Sequence, residues 1–313
     1  MIINTGARTD TVQYYSRWLL NRFREGHVLV RNPMFVNNVT RYRLSPDVVD
    51  CVLFCSKNYA PILDDLHEIT GRFNTYFYYT ITAYGKDVEP GVPTIEESIG
   101  TLKELSSMVG RKRVAWRYDP VLYTDKYDYD VHERTFRMMA EELSPYVDRC
   151  IFSFVEMYRK LDLNMPEIRP LSPTDKDRLA RMLGTVAKEN GLTIQTCGNN
   201  GTFPEYGIGT SGCVTLGILG DANDAVFKDL KHKGMRKGCH CYESRDIGAY
   251  DSCPNGCRYC YANTSPEKAK ANYLAHDPES PMLLGNVRDG DRVTDAVQTS
   301  ILNKRRTIDI TSF

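Results

Sequence analysis

The chain is 313 residues long, enough for one large domain or two ordinary ones. Its 40 lysines and arginines balance 40 aspartates and glutamates, so no global field draws it to nucleic acid or a membrane surface. No apolar run approaches the roughly 20 residues that cross a bilayer. The start, Met1-Ile2-Ile3-Asn4-Thr5, is too short for a signal peptide, and ten cysteines without a secretion signal point to metal or redox chemistry in a reducing cytoplasm.

Taken in order, the first 200 residues alternate short apolar runs with helical patterns. Met1–Thr5 reads as a strand, and Thr11–Arg24 as a helix with Val12, Tyr15, Leu19 and Phe23 on one face and Gly26 as its stop. His27–Arg31 and the almost wholly apolar Asp50–Cys55 read as strands, the second as a buried parallel one. Pro61–Ile69 is a short helix, and Thr75–Thr82, rich in Tyr, Phe and Thr, is a strand. Thr94-Ile-Glu-Glu97 is a capping box opening a helix to about Val109. Arg113–Trp116 and Cys150–Val155 are strands flanking a helix over Val131–Leu143. Ser172-Pro173 opens a further helix that Gly191 closes, and Leu192–Cys197 is another strand. These are seven strands, with a weak eighth between Tyr206 and Leu216. Alternation of this kind implies a parallel α/β sheet. The strand number predicts a TIM-barrel-like (β/α) barrel, complete or incomplete, and no G-x-G-x-x-G stands at a strand-to-helix turn to favour a dinucleotide fold.

The texture changes near residue 200. Glycine becomes dense, periodicity fades, and six of the ten cysteines fall between 213 and 260. The expected organisation is a barrel body over 1–200, a cysteine-rich segment packed on it over 201–263, and a C-terminal helix and tail over 264–313. That tail starts with a polar helix at Pro266–Leu274, and its Arg305-Arg306 pair reads as solvated surface.

Within the cysteine-rich segment, Cys253-Pro-Asn-Gly-Cys257-Arg-Tyr-Cys260-Tyr261 sets three thiolates at C-x3-C-x2-C spacing. A tight loop brings three soft ligands to neighbouring irons of a [4Fe–4S] cubane. Three ligands for four irons leave one iron open, as catalytic zinc sites leave one position open. The alternative is structural zinc, with Cys239, His240 or Cys241 as fourth ligand, although zinc knuckles usually use C-x2-C pairs. Cys197, Cys213, Cys239 and Cys241 then remain, enough thiolates to saturate an auxiliary [4Fe–4S] cluster, to contribute to a zinc site at Cys239/Cys241, or to stand as free thiols. Cys51, Cys55 and Cys150 lie inside apolar strands and read as core packing.

The three-cysteine spacing resembles the signature of radical S-adenosylmethionine (radical SAM) enzymes. There the open iron is chelated by SAM, which one-electron reduction cleaves to methionine and a 5′-deoxyadenosyl radical. That resemblance implies Tyr259 and Asn263 as cofactor-binding residues, Tyr259 being the aromatic position beside the adenine. It also implies a flavodoxin or ferredoxin reductant and a small-molecule substrate of unknown identity. The whole chain further resembles the DUF1848 family, described as carrying a C-terminal cysteine cluster like the N-terminal one of radical SAM enzymes. The matching stretches are Arg8-Thr9-Asp10, Val28–Pro33, Ser56-Lys57-Asn58, Trp116–Pro120, Cys239-x-Cys241, and Asp246–Tyr250 running into Cys253–Asn263. In ordinary radical SAM proteins the cysteine loop follows the first barrel strand; here it follows the last, which a circular permutation would explain.

Charged residues just after barrel strands are expected at an active site. Arg8 and Asp10 follow the first strand, Lys57 and Asn58 the third, Arg117 and Asp119 the fifth and Glu156 the sixth. A guanidinium there can hold a carboxylate bidentately; the same groups can equally close the barrel top as salt bridges. Two other functions remain open. One is an electron carrier or redox sensor without SAM chemistry. The other is a nucleic-acid lyase, since the cysteine loop resembles that of spore photoproduct lyase, although zero net charge and the lack of a basic stripe make nucleic acid a poor partner.

Overall fold

The computed structural model describes residues 1–198, 201–210, 212–230, 232–233 and 239–303; the Arg305-Arg306 pair lies outside them. In chain order the strands are β1 (Ile2–Asn4), β2 (His27–Arg31), β3 (Asn38–Arg43), β4 (Cys51–Ser56), β5 (Thr75–Thr80), β6 (Val114–Val121), β7 (Arg149–Phe154), β8 (Thr193–Thr196), β9 (Arg245–Asp246) and β10 (Arg292–Asp295). The helices are α1 (Thr11–Tyr14), α2 (Ser16–Glu25), α3 (His67–Thr70), α4 (Ile95–Val109), α5 (Tyr129–Leu143), α6 (Arg159–Asn164), α7 (Pro173–Glu189), α8 (Leu216–Asn223) and α9 (Pro266–Leu274). Among the described residues, no helix is long and apolar enough to cross a membrane.

Several boundaries follow from local chemistry. The Thr94 hydroxyl accepts from Glu97 N–H while the Glu97 carboxylate accepts from Thr94 N–H, a complete capping box starting α4. Ser172 and Asp175 do the same for α7, with Pro173 in the first turn where no N–H is missed. The helix expected over 11–24 is broken at Tyr15 (φ −132°) into α1 and α2, and Gly26 ends α2 in the left-handed region at φ 74°.

The main sheet has seven strands in the order β8-β7-β6-β5-β4-β1-β9, every neighbouring pair parallel. Apart from β9 this is sequence order, with no reversal of winding. Crossovers of one hand between sequential neighbours stack their helices on one face. That face buries Ile3, Phe54, Phe77, Trp116 and Phe152 against Trp18 and Phe23 of α2, Leu102 of α4, Phe136 of α5 and Leu183 of α7. Residues of the other parity, Ile2, Cys51, Leu53, Tyr76, Tyr78, Ala115 and Ile151, line the opposite face. There Val214, Leu219 and Ala222 of the α8 region, with Cys241 and Ile301, cover them.

The α/β class with a parallel sheet is thus as expected, but among the described residues no ladder joins β8 to β9, so the sheet stays open. Two strand assignments also change. His27–Arg31 pairs antiparallel with β3, which pairs parallel with β10, in a separate three-stranded sheet. Among the described residues of 206–216 the sheet gains only an isolated bridge, Gln195 to Gly209, and the last strand of the large sheet in chain order is instead the two-residue β9. The tail is docked rather than loose. Trp18 donates its indole N–H to Ser280 O at 2.9 Å, and Tyr273 of α9 meets Tyr14 and Tyr15 edge-on, each at 5.6 Å.

Candidate functional site

Because all seven strands are parallel, their C-terminal ends face one side. The segments after β1, β4, β5, β7 and β9 meet there. The cysteine loop leaves β9, which lies at the sheet edge beside β1, and Ile247 N–H extends that pairing to Asn4 O at 3.0 Å. The loop is closed at its base: Asp251 N–H donates to Ala262 O at 3.1 Å, and the Asp251 carboxylate accepts from the Thr264 hydroxyl at 2.8 Å. Asp251 itself sits in the left-handed region at φ 56°, where Asp is among the few tolerated side chains.

Three segments fasten the loop. From the β5 side, Gly91 N–H donates to Asn255 O at 2.8 Å and Arg258 N–H to Val88 O at 3.0 Å. From α1 and the break after it, the Tyr14 hydroxyl donates to Asn255 Oδ1 at 3.1 Å, and the Tyr15 hydroxyl donates to Ser252 O at 2.5 Å. From α6 and its flanks, Tyr158 donates to Tyr259 O, Lys160 to Cys260 O at 3.0 Å and to Asn263 O, and Arg258 pairs with Glu167. A Cβ on Gly91 would stand 2.8 Å from Asn255 Cα and 2.8 Å from the Tyr14 hydroxyl, so the contact admits only glycine without movement.

Within the loop, Asn263 Nδ2 donates to Cys253 O at 2.7 Å, Cys260 N–H to Cys257 O at 3.0 Å, and Ala262 N–H to Cys260 Sγ at 3.3 Å. The last is a backbone donor aimed at a sulfur, the arrangement that stabilises a thiolate. Cys253, Cys257 and Cys260 lie near enough to feel one another's charge. Burial pushes the Cys253 thiol up to about 12, and burial, then the Glu89 carboxylate, carries Cys257 well above the usual thiol range while Lys57 pulls it back. Without a metal, therefore, these two sulfurs hold their protons; a soft cation is what makes them thiolates.

The charged residues expected at strand ends fall into two groups. In the first, Lys57 Nζ bonds Glu89 Oε1 at 2.9 Å and lies 5.8 Å over the Tyr259 ring. Glu89 also accepts from Thr82 Oγ1 at 2.9 Å and from the Tyr259 hydroxyl. Burial disfavours the Lys57 ammonium, but Glu89 and Cys257 hold its pKa above the ordinary value. Asp10 caps α1 through Gln13 N–H and accepts from Ser56 Oγ at 2.7 Å and Lys57 N–H at 2.9 Å. Burial raises its pKa.

In the second group, Arg117 pairs with Asp119, which accepts from Ser153, and its Nη1 donates to Cys55 Sγ at 3.2 Å. Cys55 is therefore a half-buried partner of a guanidinium, whereas Cys51 and Cys150 are fully buried as expected. Arg8 donates to Asp246 O at 2.8 Å and lies 5.7 Å over Tyr250. Asn58 caps its own turn through Ala60 N–H, and Glu156 is exposed. Four buried polar atoms around this mouth have no hydrogen-bond partner among the described residues: Thr9 Oγ1, Arg117 Nε, Asp246 Oδ2 and Asn263 Oδ1. Unpaired buried polar atoms are costly, so their gathering at one mouth suits a polar ligand.

Sequence reasoning missed Glu89, Tyr14, Asn255 and Lys160. Glu89 carried a readable signal: an acid following a strand, just before the turn Pro90-Gly91.

The other four cysteines meet elsewhere, on the face opposite the crossover helices. Cys213 Sγ lies 3.3 Å from Cys241 Sγ with no disulfide. Cys197 hydrogen-bonds Cys213, and Cys239 hydrogen-bonds Cys241. His240 is exposed. Among the described residues, no three His, Cys, Asp or Glu side chains are already gathered about one point as in a formed metal site. A family described as a domain of unknown function, DUF1848, matches residues 2–262. No curated protein and no solved structure matches the chain.

Proposed function

The chain belongs to the DUF1848 family, and on that premise we propose that it is an iron–sulfur enzyme of radical SAM type. In this reading Cys253, Cys257 and Cys260 hold a [4Fe–4S] cluster whose fourth iron takes SAM, and the open sheet is a circularly permuted, incomplete (β/α) barrel. One observation carries the proposal. The cysteine loop is last in sequence, yet β9, which it follows, pairs with β1 at the sheet edge and delivers the loop to the C-terminal mouth. A strand order read from β9 through β1, β4, β5, β6 and β7 starts with the loop-bearing strand, as the ordinary order does.

When bound, cluster and SAM together supply one-electron cleavage of SAM and abstraction of a hydrogen atom from a substrate. The chain's own groups bind, orient and exclude water. The fastening of the loop on three sides fixes the three sulfurs relative to the mouth. Tyr259, its hydroxyl held by Glu89 and its ring 6.1 Å from Tyr84, gives a fixed aromatic wall. Asn263 offers its Oδ1 as an acceptor and Arg117 its Nε–H as a donor, a pair suited to an amino acid's ammonium and carboxylate ends. Asp10 ties α1, the end of β4 and the cysteine loop together by accepting four hydrogen bonds, from Gln13, Ser56, Lys57 and Asn255. A flavodoxin or ferredoxin is the expected reductant, and the substrate is a small molecule.

The test is reconstitution without oxygen, followed by dithionite and SAM. Wild type is expected to form 5′-deoxyadenosine, and Cys257→Ala to form none. If the cluster assembles but SAM leaves its EPR signal unchanged and no 5′-deoxyadenosine forms, the protein is an electron carrier or sensor instead.

A further inference from the structure

We propose that Cys197, Cys213, Cys239 and Cys241 form a second, separate metal site that takes a single zinc ion in four-sulfur coordination. These residues come from three places in the chain. Cys197 directly follows β8, Cys213 precedes α8, and Cys239 and Cys241 lie in the stretch leading to β9. The thiols are strung 197 to 213 to 241 to 239 by successive contacts. They form a chain rather than a cage about a point, so an ion would draw the two end sulfurs inward.

The sulfur spacing favours one ion over a second cubane. Four sulfurs about 2.3 Å from one zinc stand about 3.8 Å apart along the edges of the tetrahedron. A cubane instead places each cysteine on a different iron, with the sulfurs well beyond mutual contact. Cys213 and Cys241 are 3.3 Å apart, on the single-ion side of that division, yet too far apart for a disulfide bond of about 2.05 Å.

The surroundings suit a charged thiolate site. Val214 N–H donates to Cys241 Sγ at 3.3 Å, the outer-shell donor such sulfurs use. Arg117 is close enough to act electrostatically on both Cys197 and Cys213, and supplies positive charge to a site that four thiolates and one Zn²⁺ would leave at −2. Binding displaces four thiol protons to solvent, so nothing is oxidised or reduced. Backbone packing already fits the two arms together: a Cβ on Gly212 would lie 2.5 Å from His240 C and 2.6 Å from Cys241 N. The ion would fasten a segment of little regular structure onto the open face of the sheet.

Metal analysis with zinc-edge X-ray absorption on anaerobically purified protein decides the matter. One zinc per chain, bound to four sulfurs at about 2.3 Å, is the expected result. Zinc should fall at least tenfold in the variant Cys213→Ser with Cys241→Ser. It should persist when Cys253, Cys257 and Cys260 are all changed to Ala, so this site and the cluster loop fail independently. Should the double variant not fold, Co²⁺ added to wild type and to the triple variant should give the same intense sulfur-to-cobalt band in both. Zinc retained in the double variant, about eight irons per chain without zinc, or a Cys213–Cys241 disulfide with no metal uptake would each overturn the proposal.

Discussion

Removing the Glu89 carboxylate tests the electrostatics of the mouth. Its side chain is 2% exposed and that of Lys57 is 13% exposed, so the pair is shielded from solvent. Glu89→Ala leaves the Lys57 ammonium without its carboxylate, and Thr82 Oγ1 and the Tyr259 hydroxyl without their acceptor. Breaking a buried pair from one side costs about 3–5 kcal/mol, because the stranded charge has lost water and partner together. Glu89→Gln with Lys57→Met removes both charges and is expected to recover more than half of that loss. Urea unfolding of the metal-free, reduced protein at pH 7.5 reads the difference directly. A second readout lies at Cys257, whose thiol Glu89 pushes up and Lys57 pulls down. Taking away only the carboxylate therefore makes Cys257 more acidic, and alkylation of that residue, followed by peptide mass spectrometry, should speed up at neutral pH. Glu89→Ala unfolding within about 1 kcal/mol of wild type would show that water reaches the pair and would refute this account of the mouth.

Three other outcomes follow from particular contacts. His132 is buried between Tyr118 (2.7 Å) and Leu122 O (2.9 Å), and burial lowers its pKa to about 4. A proton taken up only by the unfolded chain makes native stability complete above about pH 6.5 and lost as pH falls towards 4. Between pH 7 and 5 this amounts to about 2 kcal/mol of stability lost by wild type, a loss that should be missing between the pH 7 and pH 5 urea curves of His132→Asn. Gly91→Ala should displace the cysteine loop, seen as slower iron incorporation and a loss of about 1–3 kcal/mol in thermal unfolding. Gly100 is exposed in mid-α4 with open space around it, so Gly100→Ala should stabilise by up to about 1 kcal/mol in the same assay.

Local chemistry made part of this molecule readable. Caps at Thr94 and Ser172 announce their helices because the signal is complete within four residues. The nearly unbroken apolar run of β4 and the aromatic run of β5 announce a sheet buried on both sides. The cysteine spacing is equally local. What sequence could not show was which strands pair. His27–Arg31 reads like a strand of the main sheet, yet it pairs with β3 in a second sheet, whose remaining strand, β10, comes from the far end of the chain and pairs with β3. β9 is too short and too polar to display a period, and its place is fixed only by β1. The four scattered cysteines illustrate the same limit: their number was visible, but the contact of Cys213 with Cys241 depends on how two irregular segments cross.

The junction of β1 with β9 therefore bears most of the arrangement, and Arg8 is the residue to perturb there. Its guanidinium donates to Asp246 O at 2.8 Å and lies 3.6 Å from Asp246 Oδ1. The Asp246 side chain is 2% exposed, and burial already raises its pKa while Arg8 opposes the rise. Arg8→Ala removes that opposition, so the native carboxyl titrates at still higher pH. A carboxyl whose folded pKa lies above its unfolded one keeps its stability at low pH and loses it as pH rises through the folded value. The cost of Arg8→Ala should therefore be small at pH 5 and grow to about 3 kcal/mol at pH 8, the penalty of an unpaired buried charge. Adding Asp246→Asn removes the titrating group, and the double variant should lose that slope. Equal destabilisation at both pH values would mean that Arg8 acts through its contacts with Asp246 O and Tyr250, and not through charge.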